Sequence, residues 1–307
     1  MKIRILFLSL AAGVLLSGCS KDENVGGNAS EVTTDELVPI RMGSGIATTV
    51  SKAFVTSGTE FTAGIAGWEN TASETYAAAP LWNTTIQTTA DAATEQVVNW
   101  ADQKYYNADE NTSTYMKAWY PAGTLTGTTV NFENTDGSVD ALLAPAVSGS
   151  KNNKDGKVLA FAHMTAQIKF RVKAGAGLDA ATKLRSITIK SVQLPTGFDL
   201  TKDIGEAVTY DEVADLSVPN ITADAVIIGD ETPVGSEVMI KPITGTTFTV
   251  DVVTDKATYT DQTVTVDGEN IAAGMAYDVL LTFTQSDIAL TATVAGWTDK
   301  QGSAEIK

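Results

Sequence analysis

Histidine and cysteine are almost missing from this 307-residue sequence, which holds one of each. A lone cysteine makes no internal disulfide, zinc knuckle or iron–sulfur site. A lone histidine leaves room for a single imidazole-based catalytic device. Bases are scarce beside acids, 21 against 37, for a net charge of −16. A chain of that sign repels phosphate backbones, so nucleic acid is not an expected partner. There is no Walker A loop, dinucleotide fingerprint or G-x-S-x-G elbow. No repeat of 20–50 residues is visible either, which argues against solenoids and propellers. What remains is 43% hydrophobic and 19% charged, the composition of a globular chain. The length suits two domains or one large all-β domain.

Long apolar runs are confined to the amino terminus. Lys2 and Arg4 precede an apolar run from Ile5 to Leu16, shorter than the ~20 residues that span a bilayer. Residues 1–18 therefore read as a signal peptide. Leu16-Ser17-Gly18-Cys19 resembles a bacterial lipobox, and the chain's only thiol sits where acylation requires it. Membrane attachment is expected only through lipid on Cys19, each buried methylene adding about 0.8 kcal/mol. Ser20-Lys21-Asp22-Glu23 resembles a signal for the outer face of the outer membrane. Residues 24–36 are polar and lack apolar periodicity, as a tether does.

The rest reads as strands. Alternating segments occur at 59–66, 124–132, 167–172, 186–194, 246–253, 263–266, 277–284 and 288–294. Asp136-Gly137, Asp155-Gly156, Pro195-Thr196-Gly197 and Asp267-Gly268 punctuate them. This density of short β-rich runs and turns points to antiparallel β-sandwiches. Short helices are expected only at 179–184 and 91–100. Ala174-Gly175-Ala176-Gly177 marks a boundary, dividing the chain into segments 53–174 and 175–307.

No active site emerges. His163 lies in an apolar strand-like run and reads as a hydrogen-bonded structural residue, because a nucleophile and an orienting acid are not in evidence. Asn153-Lys154-Asp155-Gly156 superficially matches a calcium loop, but Lys151 stands at the first ligand position. Asp109-Glu110 and Asp230-Glu231 sit beside turn residues, as solvated loop charges do. Trp68, Trp82, Trp100, Trp119 and Trp297 are scattered along the sequence, more like core plugs than a glycan platform. No enzyme activity, cofactor or metal is expected.

The lipobox at Cys19 is followed by Pro39-Ile40-Arg41, a Lys52-Ala53 junction, Lys117-Ala118-Trp119-Tyr120-Pro121 and a strand at 158–172 containing Phe161, His163, Ile168 and Phe170. Ala273-Gly274-Met275-Ala276-Tyr277 and Val294-Ala295-Gly296-Trp297 come near the end. In order and spacing these resemble the fimbrillin family, the type V pilins of anaerobic Gram-negative bacteria. The resemblance implies two tandem transthyretin-like antiparallel β-sandwiches. It also implies a lipoprotein precursor cut by a trypsin-like surface protease, which loses its anchor and first strand and receives a carboxy-terminal strand from another subunit. The implied partners are other fimbrial subunits, the protease and a host or bacterial receptor, in support of adhesion and biofilm formation.

The residues suit those roles. Val38, Ile40 and Met42 share one face of an extended segment while Arg41 points away, so 19–52 reads as a tether plus removable strand. Removing it would leave a groove lined with unpaired backbone groups. Cleavage is expected between Lys52 and Ala53, with Arg41 as the alternative. Ile288, Leu290, Ala292 and Val294 alternate on one face and form the candidate donor strand. The alternative function is an outer-membrane-anchored surface lipoprotein that acts as a fimbrial anchor or as a glycan- or protein-binding module.

Overall fold

The computed structural model describes residues 37–46, 58–89, 96–268, 270–285 and 287–296, all within the compact unit Leu37–Lys307. Every regular element among them is a strand. They are β1 Gly43–Ile46, β2 Glu60–Asn70, β3 Trp82–Thr89, β4 Gln96–Val97, β5 Asn99–Trp100, β6 Ser113–Tyr120, β7 Thr124–Thr126, β8 Thr129–Asn131, β9 Leu142–Gly149 and β10 Val158–His163. The second half adds β11 Ala166–Ala174, β12 Leu184–Val192, β13 Pro195–Asp199, β14 Val208–Tyr210, β15 Ala214–Ser217, β16 Thr232–Ile240, β17 Thr247–Thr254, β18 Thr258–Thr265, β19 Met275–Phe283 and β20 Ile288–Gly296. The fold is all-β, as the alternation indicated.

An eight-stranded sheet runs β4-β1-β10-β9-β6-β2-β3-β5. Its two ends are consecutive pieces of one segment, because β4 pairs with β1 while β5 pairs with β3. The sheet thus returns on itself around a core that includes Ile40, Met42, Phe61, Ile65, Ile86, Leu142 and Phe161. β2 is buried on both faces. Phe61, Ala63 and Ile65 belong to that core, while Ala66 and Trp68 join a second cluster with Trp119, Val130 and Phe198. Gly64 makes the inner crowding possible, since a Cβ there would come within 2.5 Å of the Trp119 indole.

Two four-stranded sheets, β16-β11-β19-β20 and β15-β12-β17-β18, enclose the largest core between them. Along β17, Phe248, Val250 and Val252 point in while intervening residues are less buried, the period of two that sorts a strand's faces. A small sheet, β14-β13-β8-β7, covers the second cluster.

Several details depart from the sequence reading. The run 158–172 is two strands: β10 pairs with β9 and β1, whereas β11 pairs with β16 and β19. The changeover falls at Met164-Thr165, and β11 lies in the segment that the Gly-rich stretch assigned to the first half. Conversely, β13 of the second half pairs with β8 of the first, so pairing does not respect a division at residue 174. Residues 124–132 form a hairpin, turned by Gly127 at φ 61°, a backbone shape that favours glycine. Pairing is mostly antiparallel, as expected, with β1–β10 and β11–β19 the two parallel pairs among the described strands. The expected helices do not form among the described residues. Residues 96–100 are β4 and β5, and 179–183 form a turn closed by Thr182 N–H on the Asp179 carbonyl, leading into β12. Short polar stretches of this kind are too weak to hold a helix without an apolar face to bury.

Candidate functional site: the amino-terminal segment and its groove

Residues 37–46 enter the eight-stranded sheet between β10 and the 96–106 segment. The Ile40 amide donates to the Lys104 carbonyl at 2.8 Å, and the Tyr106 amide donates to Val38 at 2.9 Å. Pro39 and Tyr105 form an antiparallel bridge, a pairing in which proline's missing amide is tolerated. Gln103 Nε2 donates to the Ile40 carbonyl at 3.0 Å. Further along, Gly43 donates to Lys157 at 2.8 Å and Val98 donates to Met42 at 3.3 Å. β1 then runs parallel to β10, with Ser44 opposite Leu159.

Side chains alternate through the whole segment. Ile40 is 0% exposed and Met42 and Ile46 are each 7% exposed; Val38 is half-buried against the same core. Arg41 is exposed. Ser44 is the polar member of the inward face. It is fully buried, and its hydroxyl is hydrogen-bonded to that of Thr88 on β3, itself 5% exposed. Tyr106, next to the segment's entry, is buried, and that burial pushes its phenol up to about 12. The segment fills a slot in the core of the sheet.

Of the residues singled out from sequence, Cys19, Lys52, Ala53 and Trp297 lie outside the described residues. Ile288, Leu290, Ala292 and Val294 are on β20, which pairs residue for residue with β19 from Ile288 opposite Phe283 to Gly296 opposite Met275. Ile288 and Ala292 are buried, and Leu290 and Val294 pack partly buried against the largest core. β20 is an edge strand of its sheet. The structure does not bring β20 to the groove around residues 37–46 within one chain, since the two belong to different sheets.

The other chemistry-bearing residues have structural settings. His163 Nδ1 is 2.9 Å from Asp140 Oδ2, and both side chains are buried. Asp109 accepts hydrogen bonds from the Asn111 amide and side chain and from Thr112. The Asn111 amide bond chiefly holds its carboxyl below the usual range. Glu231 pairs with Arg171, which also meets Asp278 at 2.8 Å. Trp68 and Trp119 are buried in one cluster, while Trp82 and Trp100 meet edge to face at 6.1 Å. Among the described residues no group of three or more His, Cys, Asp or Glu is placed to hold a metal ion. Ser44, Thr88, Gln103 and Tyr106 were not singled out from sequence. Extending the 38–42 alternation to Ile46 would have found Ser44, but nothing in sequence links it to Thr88.

The architecture is that of an all-β protein built from packed sheets. The profile of the Fimbrillin-like family matches residues 49–297, and the chain belongs to that family. Solved structures agree on the fold. One, from Bacteroides uniformis and provisionally assigned to cell adhesion, aligns at 17% identity and TM-score 0.58 over 86% of this chain and 99% of its own. A Bacteroides ovatus protein with the same assignment aligns at 17% identity and TM-score 0.56, over 86% of this chain and 99% of its own. A third, from Bacteroides fragilis, gives 14% identity and TM-score 0.50, covering 87% and 100%. Among curated proteins, none matches this sequence significantly.

Proposed function

We propose that this chain is a subunit of a cell-surface fimbrium, in the stalk or at the tip, that supports adhesion and biofilm formation. It is exported as an outer-membrane lipoprotein acylated on Cys19, cut by a trypsin-like protease after Lys52, and joined to other subunits by strand exchange. Membership of the Fimbrillin-like family supports the fimbrial part of this reading. So do the cell-adhesion assignments of the Bacteroides proteins that share its fold.

The observation that carries the strand-exchange part is the seating of residues 37–46. They form the first described strand region, they fill the core with Ile40, Met42 and Ile46, and they precede the expected cut at Lys52-Ala53. Cleavage there leaves the segment held by noncovalent contacts alone. Its departure opens β10 on one side and the 96–106 segment on the other, and unpaired strand edges flanking an apolar slot invite a replacement strand. β20 is the strand this chain is proposed to donate, to the groove of a different subunit. In a stalk subunit it must give up its pairing with β19, whereas a tip subunit keeps it.

The test is mass spectrometry of the protein's amino terminus after recovery from the cell surface. A terminus at Ala53 is the expected result. An acylated Cys19 on the mature protein overturns the reading and favours a permanently anchored lipoprotein.

A further inference from the structure

Ser44 is the polar exception on an apolar face, and Thr88 is the buried threonine of the β3 face that meets it. Ser44 sits between Met42 and Ile46 on the inward side of its segment, and Thr88 is two positions beyond the fully buried Ile86 on β3. Their hydroxyls satisfy each other away from water, as buried polar groups must. The consequence rests on the strand-exchange reading above. If residues 37–46 leave, Ser44 leaves with them while Thr88 stays in the wall of the groove. A replacement strand that is apolar at this position would bury the Thr88 hydroxyl without a partner.

We propose that Thr88 is a register and partner-specificity determinant of the groove. The strand it accepts repeats the pattern of the seated segment: apolar side chains at alternate positions, matching Val38, Ile40 and Met42, then a hydroxyl matching Ser44, then one more apolar side chain matching Ile46. The partner is an extended strand of another subunit carrying Ser or Thr at that place. β20 of a second copy of this chain is the poorer occupant, because Ile288, Leu290, Ala292 and Val294 present no hydroxyl on their shared face. A one-residue slip would face every side chain the wrong way, and a two-residue slip would set an apolar group against Thr88. The pair therefore selects register as well as partner.

The experiment uses the full chain after limited trypsin cleavage and protease inhibition, with peptides competing for the groove. The peptides are residues 37–46, the same peptide with Ser44→Ala, and Ile288–Gly296. The Ser44→Ala peptide is expected to bind about 5- to 150-fold more weakly than the native peptide, the loss from leaving one buried hydroxyl unpaired. The Ile288–Gly296 peptide should bind no better than the Ser44→Ala peptide. A Thr88→Val chain should lose or reverse the preference for Ser44, and a Thr88→Ser chain should keep it. Equal affinity of the two 37–46 peptides for the wild-type groove overturns the inference and leaves strand removal standing. Tight binding of Ile288–Gly296 overturns the choice of partner. Failure of every peptide to bind the cut chain overturns both the inference and the reading beneath it.

Discussion

Replacing Ile40 by alanine in the uncut chain probes how firmly the amino-terminal segment is built into the core. Ile40 is fully buried in the cluster that holds Phe61, Ile65, Ile86, Leu159 and Phe161. Its backbone is paired on both polar atoms, to Lys104 at 2.8 Å and to Gln103 at 3.0 Å, so the substitution removes apolar volume without touching those bonds. Truncating a buried isoleucine to alanine costs about 2–5 kcal/mol, the transfer of the lost carbons plus the cavity they leave. That is a large share of the ~5–15 kcal/mol that separates most folded domains from their unfolded state. The segment lies at the start of the compact unit, where local opening competes with global unfolding. The cost should therefore appear first as release of residues 37–46. Hydrogen exchange at the amides of Ile40, Gly43 and Tyr106 reads that release directly. Protection of those amides should fall by about 30-fold or more, at tenfold per 1.4 kcal/mol, while β17 and β19 amides change little. Leu37→Ala is the control: Leu37 is 63% exposed and should shift stability by less than about 0.5 kcal/mol. Unchanged protection around Ile40, with an unchanged urea midpoint, would refute the assignment of this segment to the core.

Three further expectations follow from the packing. Gly64→Ala places a Cβ within 2.5 Å of the Trp119 indole and should destabilise by about 1–3 kcal/mol; thermal unfolding measures this, and Trp119→Leu in the same chain should recover part of the loss. Asp140→Ala removes the buried hydrogen bond at 2.9 Å to His163 and should cost about 1–3 kcal/mol, read as a lowered urea midpoint, with Asp140→Asn costing less. Burial pushes the phenols of Tyr106 and Tyr210 up to about 12. Protonated phenols thus favour the folded state, a contribution complete below pH ~10, the unfolded value, and lost as pH rises toward 12. Phenolate absorbance from these two should grow only together with loss of structure, and titration near pH 10 in an intact fold would contradict it.

Sequence alone revealed the strands that alternate cleanly, such as β17 and β19, because one face of each meets a core and the other meets water. It also revealed the inward face of Val38, Ile40 and Met42. It did not reveal β1, where Gly43 and Gly45 supply no side chains to alternate, or β16, where Pro233 and Gly235 interrupt the pattern. β2 keeps both faces buried, one in each cluster, so its residues do not sort by a period of two. Pairing partners were out of reach for a physical reason. β11 could pair with any apolar strand of suitable length, and its choice of β16 and β19 is made by contacts far away in sequence. The Ser44–Thr88 pair was invisible in the same way, since serine and threonine abound in strands and turns throughout the chain.

We propose that cutting near Lys52 frees residues 37–46 and opens a groove that another subunit's strand fills. The most direct measurement is size-exclusion chromatography of the full chain before and after limited trypsin cleavage, alone and mixed with subunits from the same cell surface, with mass spectrometry of each peak. Higher-order species are expected only after cleavage, containing chains that begin at Ala53 and lack residues 37–46. Cut chains that stay monomeric in every mixture, or polymers that retain residues 37–46, would contradict it.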